Sequence, residues 1–155
     1  MSIEMILSVI AAAISVVTFL FSLYTFSWTA KRDKKQATLD AYNRLQNEVF
    51  DKLNLYSPAQ INEICKNVKL PEYKTLGGHL ARIEHFCVGI NTEIYDRKTF
   101  YSLAHGYFDG DQIRARIEPI IENKNRSNTT GKRFYDDITK VFEWMEKQHN
   151  IKNQK

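Results

Sequence analysis

No charged side chain occurs between Met5 and Ala30, and the run stops abruptly at Lys31-Arg32-Asp33-Lys34-Lys35. A bilayer core about 30 Å thick is crossed by roughly 20 apolar residues of helix, and this stretch has them to spare. The sequence therefore predicts a transmembrane anchor over residues 1–30. A cleaved signal peptide would carry positive charge ahead of a short apolar core of about 7–15 residues. Here Met1-Ser2-Ile3-Glu4 precedes the core, the core is too long, and the positive charge follows it. Basic residues mark the cytoplasmic side of a span, so the N-terminus is expected outside and residues 31–155 inside. Lys31, Arg32, Lys34 and Lys35 are the expected lipid-headgroup contacts, with Trp28 and Tyr24 as interfacial aromatics.

Inside the span the small residues form one stripe. Ser8, Ala11, Ser15, Thr18, Ser22, Thr25 and Thr29 follow alternating steps of three and four. A period of 3.5 keeps one seam facing a partner helix. Small residues allow close backbone approach in lipid, and hydroxyls can bond across the gap. Homo-oligomerisation through this seam is the expectation. Two readings compete with it: hydroxyls that bond back to their own helix, and a hydroxyl-lined pore made from several copies.

The chain of 155 residues has 22 Lys and Arg against 18 Asp and Glu, for a net charge of +4. Every basic residue lies after Ala30 and four sit in the flank, so the remainder is nearly neutral. Such a distribution points to an anionic membrane surface. It does not point to nucleic acid. Cys65 and Cys87 both fall on apolar helix faces and are expected to be buried free thiols.

Beyond the anchor, apolar residues recur at helical spacing almost throughout. Leu39, Tyr42, Leu45, Val49, Phe50 and Leu53 make one stripe, which predicts a basic flank and stalk helix over residues 31–53 continuing from the span. Residues 54–149 are read as the helical domain and residues 150–155 as a disordered tail. Ser57-Pro58-Ala59-Gln60 carries a capping residue, a proline suited to the first helical position and a Gln three after the cap. The strongest core helix runs from Glu72 to about Glu93, with Leu76, Leu80, Ile83, Cys87, Ile90 and Ile94 on one face. Gly77-Gly78 near its start suggests a close helix crossing. Asp96 should cap a helix that stops at Gly106. Asp109-Gly110-Asp111 should open another, which Pro119 kinks or divides. Asn123 to Gly131 reads as a polar loop, and a last helix carries Phe134, Tyr135, Ile138, Val141, Phe142 and Met145 before fraying after His149.

The densest set of reactive side chains is His79, Arg82, Glu84, His85 and Cys87. Two His six residues apart on a regular helix are turned about 240° from one another and cannot hold one ion. His79, Arg82 and Phe86 share a face, and His85 points elsewhere. The favoured reading is a polar cluster in a helical core that pairs Glu84 or Arg82 with a neighbour; an acid–base role for His85 with Glu84 is the alternative. Asp109-x-Asp111 resembles the opening of a calcium loop, but Ile113, Arg114 and Arg116 occupy the positions that need acids and glycine. Tyr101, His105, Tyr107 and Phe108 form an aromatic turn. If exposed, these four would bind a partner, since Tyr is enriched at interface hot spots; packing against the core is favoured over that. No nucleophile elbow, phosphate loop, dinucleotide fingerprint or zinc spacing is present, so neither cofactor nor metal is expected.

The segment Leu76-Gly77-Gly78-His79-Leu80-Ala81-Arg82-Ile83-Glu84-His85-Phe86-Cys87-Val88-Gly89-Ile90-Asn91, continued by Ile94-Tyr95-Asp96 and Leu103-Ala104-His105-Gly106-Tyr107-Phe108, resembles a family of small bacterial membrane proteins known only as a domain of unknown function. That resemblance covers roughly Ala37 to Gln148. It implies an N-terminal span, a basic flank and a helical cytoplasmic domain at a bacterial inner membrane. No catalytic residue carries over from it. Proteins of this build often occur as accessory or effector components of stress and phage-defence systems.

The expectation is an all-α protein, one N-terminal transmembrane helix continuing into a cytoplasmic bundle of five or six helices. Its expected role is non-enzymatic interaction or regulation, with membrane lipid, further copies of itself and a protein or small signal as partners. The alternative is a membrane-tethered hydrolase or nuclease using His79, Arg82, Glu84 and His85.

Overall fold

In the computed structural model the described residues are 2–110, 112–126, 128, 131 and 133–153, with the side chains of 152 and 153 excepted. Every regular element among them is helical, and no strand occurs. The elements are α1 (Ile3–Leu45), a π turn (Gln46–Phe50), α2 (Asp51–Leu53), α3 (Pro58–Lys66), α4 (Pro71–Asn91), α5 (Arg97–Ala104), α6 (Arg114–Arg126) and α7 (Asp136–Asn153). The chain forms two compact units, residues 1–36 and residues 37–155.

In the first unit, α1 is long and apolar enough to cross a membrane, and none of its most apolar window is buried. No breaker interrupts it between Ala30 and Leu39, as the sequence predicts.

The second unit buries one core. Leu76, Leu80, Ile83, Phe86, Cys87 and Ile90 of α4 form its centre, and α4 packs against α3, α6, α7 and the π turn. Aromatic rings run through it in T-shaped and tilted contacts. Tyr42 meets Phe100 with centroids 6.0 Å apart, Phe100 meets Phe108 at 5.5 Å, and Phe108 meets Phe142 at 5.2 Å. Such pairs add to the stability that burial of their area supplies.

Two caps form as read. Ser57 Oγ accepts from the Gln60 N–H while the Gln60 side chain accepts from the Ser57 N–H. Asp96 Oδ1 accepts from the Thr99 N–H, and Gly106, at φ 86°, ends the turn after α5. The left-handed backbone at Gly106 is open to glycine without strain.

Elsewhere the backbone departs from expectation. Residues 31–53 are not a separate stalk: Tyr42, Leu45, Val49, Phe50 and Leu53 belong to the core of the second unit. Leu39 is only half-buried, while Thr38 is buried because its Oγ1 accepts the Asp96 N–H at 2.7 Å. The helix also leaves α register at Gln46, whose carbonyl accepts the N–H of Asp51, five residues on. Pro119 does not divide α6. It lies in the second turn, where its missing N–H forfeits one bond to the Ala115 carbonyl, and Ile117, Ile120 and Ile121 stay buried around it. The helix begins at Arg114 rather than near Asp109 and runs to Arg126, into the stretch expected as loop. Asp111, Ser127, Thr129, Thr130 and Lys132 lie outside the described residues. The last helix continues to Asn153 rather than fraying after His149; Gln154 and Lys155, the end of the expected tail, lie outside the described residues.

The Gly77-Gly78 crossing is not found. A Cβ on Gly78 would meet nothing within 4 Å, and one on Gly77 only the end of the Lys124 side chain. The close approach is at Gly89, where a Cβ would lie 2.5 Å from the Tyr95 ring.

Candidate functional site

The reactive cluster on α4 is distributed over three environments. Glu84 faces α7: its carboxylate accepts the Asp137 N–H at 3.2 Å and the Ile138 N–H at 3.0 Å. A carboxylate from one helix thereby caps the N-terminus of another, where unpaired N–H groups and the helix dipole favour negative charge. Burial nonetheless pushes the Glu84 carboxyl up; the two N–H bonds oppose this, and Asp137 and Asp136 add to it. Asn91, two turns on, donates to the Asp137 carbonyl at 3.1 Å and to its carboxylate at 2.8 Å. The Cys87 thiol beneath is wholly buried and pushed well above its ordinary range, so it is an inert core group. Cys65 is also buried and free.

His79 is buried, and burial lowers its pKa, helped by the positive charges of Lys52 and Arg82. It is held as a neutral core imidazole. Arg82 and His85 are exposed and share one opening, so the expectation that His85 points away from Arg82 is corrected. The residues three apart sit on adjacent turns of the same helix face.

That opening is a groove of about 580 Å³ between α4 and the end of α1 with its π turn. Arg44, Glu48, Arg82 and His85 form its rim. Phe86 and Tyr95 lie at its floor, stacked with centroids 5.2 Å apart and planes at 23°. Arg82 Nη1 donates to Glu48 Oε2 at 3.0 Å across it. Glu48 belongs to the π turn, a rare geometry that recurs at functional sites. The sequence reading missed Arg44 and Glu48 because their signal is weak: two charges one turn apart on an amphipathic helix are ordinary surface residues. A second opening, between α3 and α6, is lined by the exposed pairs Glu63–Lys66 within α3 and Glu122–Arg126 within α6.

The aromatic turn is largely core, as the packing reading favoured over docking has it, which leaves little of it as a docking surface. Phe108 is fully buried among Phe50, Phe100 and Phe142. Tyr101 is buried against Trp144, with ring centroids 5.9 Å apart. Tyr107 is half-buried and its hydroxyl accepts from Asn54 Nδ2 at 2.6 Å; His105 alone of the four is exposed. The cause is the turn after α5. The Tyr107 and Phe108 N–H groups both donate to the Ala104 carbonyl, which drives Phe108 inward.

Asp109 pairs with Arg114 at 3.4 Å, and Arg114 also binds Glu118 at 2.5 Å and Glu146. This knot joins α6 to α7. Among the described residues no three His, Cys, Asp or Glu side chains are grouped to hold a metal ion.

In the first unit the seam hydroxyls bond along their own helix. Ser15 donates to the Ala11 carbonyl at 2.9 Å, Thr18 to Ile14 at 2.9 Å, Ser22 to Thr18 at 2.8 Å and Thr25 to Phe21 at 2.9 Å. Their oxygens stay on the exposed surface with lone pairs to offer. In the basic flank, Arg32 lies 5.6 Å over the Trp28 ring and 3.5 Å from Asp33.

No protein-family model matches the chain, and neither a curated protein nor a solved structure matches it.

Proposed function

We propose that this chain is a single-pass protein of a bacterial inner membrane, N-terminus outside and helical unit cytoplasmic. In this reading it is a non-enzymatic interaction or regulatory protein that passes a binding event to a self-associating span. One observation carries it: the most apolar stretch of α1 has no residue buried within the chain, so something outside the chain must cover it. Lipid is the cover that the uncharged length and the basic flank fit. The Arg82 and His85 groove is the place for a small signal, and His105 with the edge of Tyr107 is what the aromatic turn leaves for a protein partner. An accessory or effector role in stress or phage defence belongs to the same proposal.

The groove also gives a hydrolase or nuclease its best footing, since Arg82 and His85 open on one cavity. Two of the four residues it needs are engaged elsewhere: Glu84 holds the start of α7, and His79 is buried. Interaction is therefore the preferred reading.

The anchor is tested by alkaline washing of native membranes. The chain should stay in the pellet, and recovery as a monodisperse aqueous species refutes the proposal. The seam is tested by Ser15→Leu with Ser22→Leu in a membrane association assay. A lower oligomer population is expected; an unchanged one removes self-association.

A further inference from the structure

The Arg82–Glu48 pair sits over a cavity in the size range of small-molecule sites, about 580 Å³. Both side chains are half or more exposed, so the pair contributes little to folding and exchanges readily. Arg82 Nη1 alone donates to Glu48, whereas a guanidinium presents five N–H donors in a planar fork. Arg44 brings a second guanidinium and His85 an imidazole to the same rim. Two fixed positive charges thus face one carboxylate. Beneath them the half-buried Tyr95 ring, stacked on buried Phe86, offers an apolar surface.

We propose that the groove binds a small organic anion, an acid head on a flat apolar body, and that Glu48 occupies the position of that acid head until the ligand displaces it. This rests on the reading of the groove as the place of a small signal. The head, a phosphate, sulfonate or carboxylate, takes the Arg82 fork bidentately, which is the stronger arrangement. The body lies on the aromatic floor. Glu48 is part of the π turn, so its displacement breaks that turn's ion pair with α4 and registers occupancy at the end of the helix, while Val49 and Phe50 keep the turn packed in the core.

The two partners of one ion pair then respond with opposite sign. If the pair were merely structural, removing either member would have the same effect. The test is calorimetric titration of the full chain in lipid nanodiscs with 1-naphthyl phosphate. Arg82→Gln should weaken binding by about tenfold or more, and Glu48→Gln should tighten it by about three- to tenfold. Arg126→Gln, in the α3–α6 opening, should leave it unchanged. Absence of binding to the unmodified chain at millimolar probe overturns the proposal. So do Arg82→Gln and Glu48→Gln shifts of the same sign, or an equal loss in Arg126→Gln. Retention in alkaline-washed membranes is measured separately, so a failed titration with a retained chain sinks the anion site and leaves the anchor standing.

Discussion

Replacing Glu84 with alanine should be among the costliest single changes to a partly exposed charge in this protein. The carboxylate accepts two N–H bonds from the first turn of α7, at 3.2 and 3.0 Å, and reaches them from another helix. Loss of an N-cap costs about 0.5–2 kcal/mol. A hydrogen bond to a charged acceptor is worth about 1.5–3 kcal/mol, and the abandoned N–H groups are partly shielded from water. Asn91 still holds Asp137, which limits the damage. We therefore expect Glu84→Ala to destabilise the second unit by about 2–3 kcal/mol, a fall in Tm of about 8–12 °C for a unit of this size. Glu84→Gln keeps one acceptor oxygen and no charge, so it should cost about 1 kcal/mol or less. The pH dependence supplies a sharper check. The native carboxyl is raised by burial above its unfolded value, so as pH climbs through that window the unfolded chain gives up its proton first. Its contribution is fully present below the unfolded pKa and is lost as pH rises through the folded one. The stability of Glu84→Gln relative to the unmodified chain should therefore improve with rising pH. Thermal unfolding followed by near-ultraviolet circular dichroism, from pH 4 to pH 8, measures both quantities. An alanine variant within about 0.5 kcal/mol of the parent would refute the capping argument, whereas a relative stability that moves the other way with pH would refute the dominance of burial over the two N–H bonds.

Two further pairs of variants separate neighbouring residues by sign or size. Gly89→Ala drives a methyl group to 2.5 Å from the Tyr95 ring and should cost about 1–3 kcal/mol in chemical denaturation, whereas Gly78→Ala meets nothing within 4 Å inside the same helix and should stabilise by about 0.5–1 kcal/mol. Phe108→Ala, which empties a fully buried ring site, should cost about 3–5 kcal/mol, and exposed His105→Ala should stay within about 0.5 kcal/mol; equal effects would contradict the inward turn after α5.

What the sequence made legible were features that depend on neighbours in the chain. The caps at Ser57 and Asp96 are written within three residues, and the apolar faces of α4, α6 and α7 follow from spacing. What escaped depends on what lies across space. Glu84 stands out as a member of a polar cluster in need of a neighbour, but nothing in its spacing names the α7 N–H groups, over fifty residues later, that it meets. The Gly77-Gly78 pair looked like a crossing because two glycines are conspicuous, yet single Gly89 is the one that a ring presses against. For Phe108 the sequence favoured packing without showing how, and the hydrogen bonds to Ala104 are what turn it inward. The π turn has no composition signal at all. Arg44 and Glu48 therefore could not be assigned to a groove from spacing alone.

The distribution of burial also fixes what the helical unit needs in order to fold. Among the described residues the first buried one is Thr38, and the hydrophobic core draws on residues from Tyr42 to Met145. Among the described residues no side chain before Ala37 contributes to it. Residues 37–155 are enough chain to enclose such a core, so they supply their own driving force for folding. A chain beginning at Ala37 should accordingly be expressed without detergent, unfold in one cooperative transition and retain the Arg82–Glu48 groove. Its first helical turn would fray, because α1 would start one residue before Thr38, but the Asp96 N–H bond to Thr38 and the packing of Tyr42 oppose further loss. Hydrogen exchange should find Tyr42 and Leu45 protected at the level of α4. Loss of cooperativity on removal of residues 1–36 would mean that the exposed apolar helix is part of the folding unit, and the division into two units would have to be abandoned.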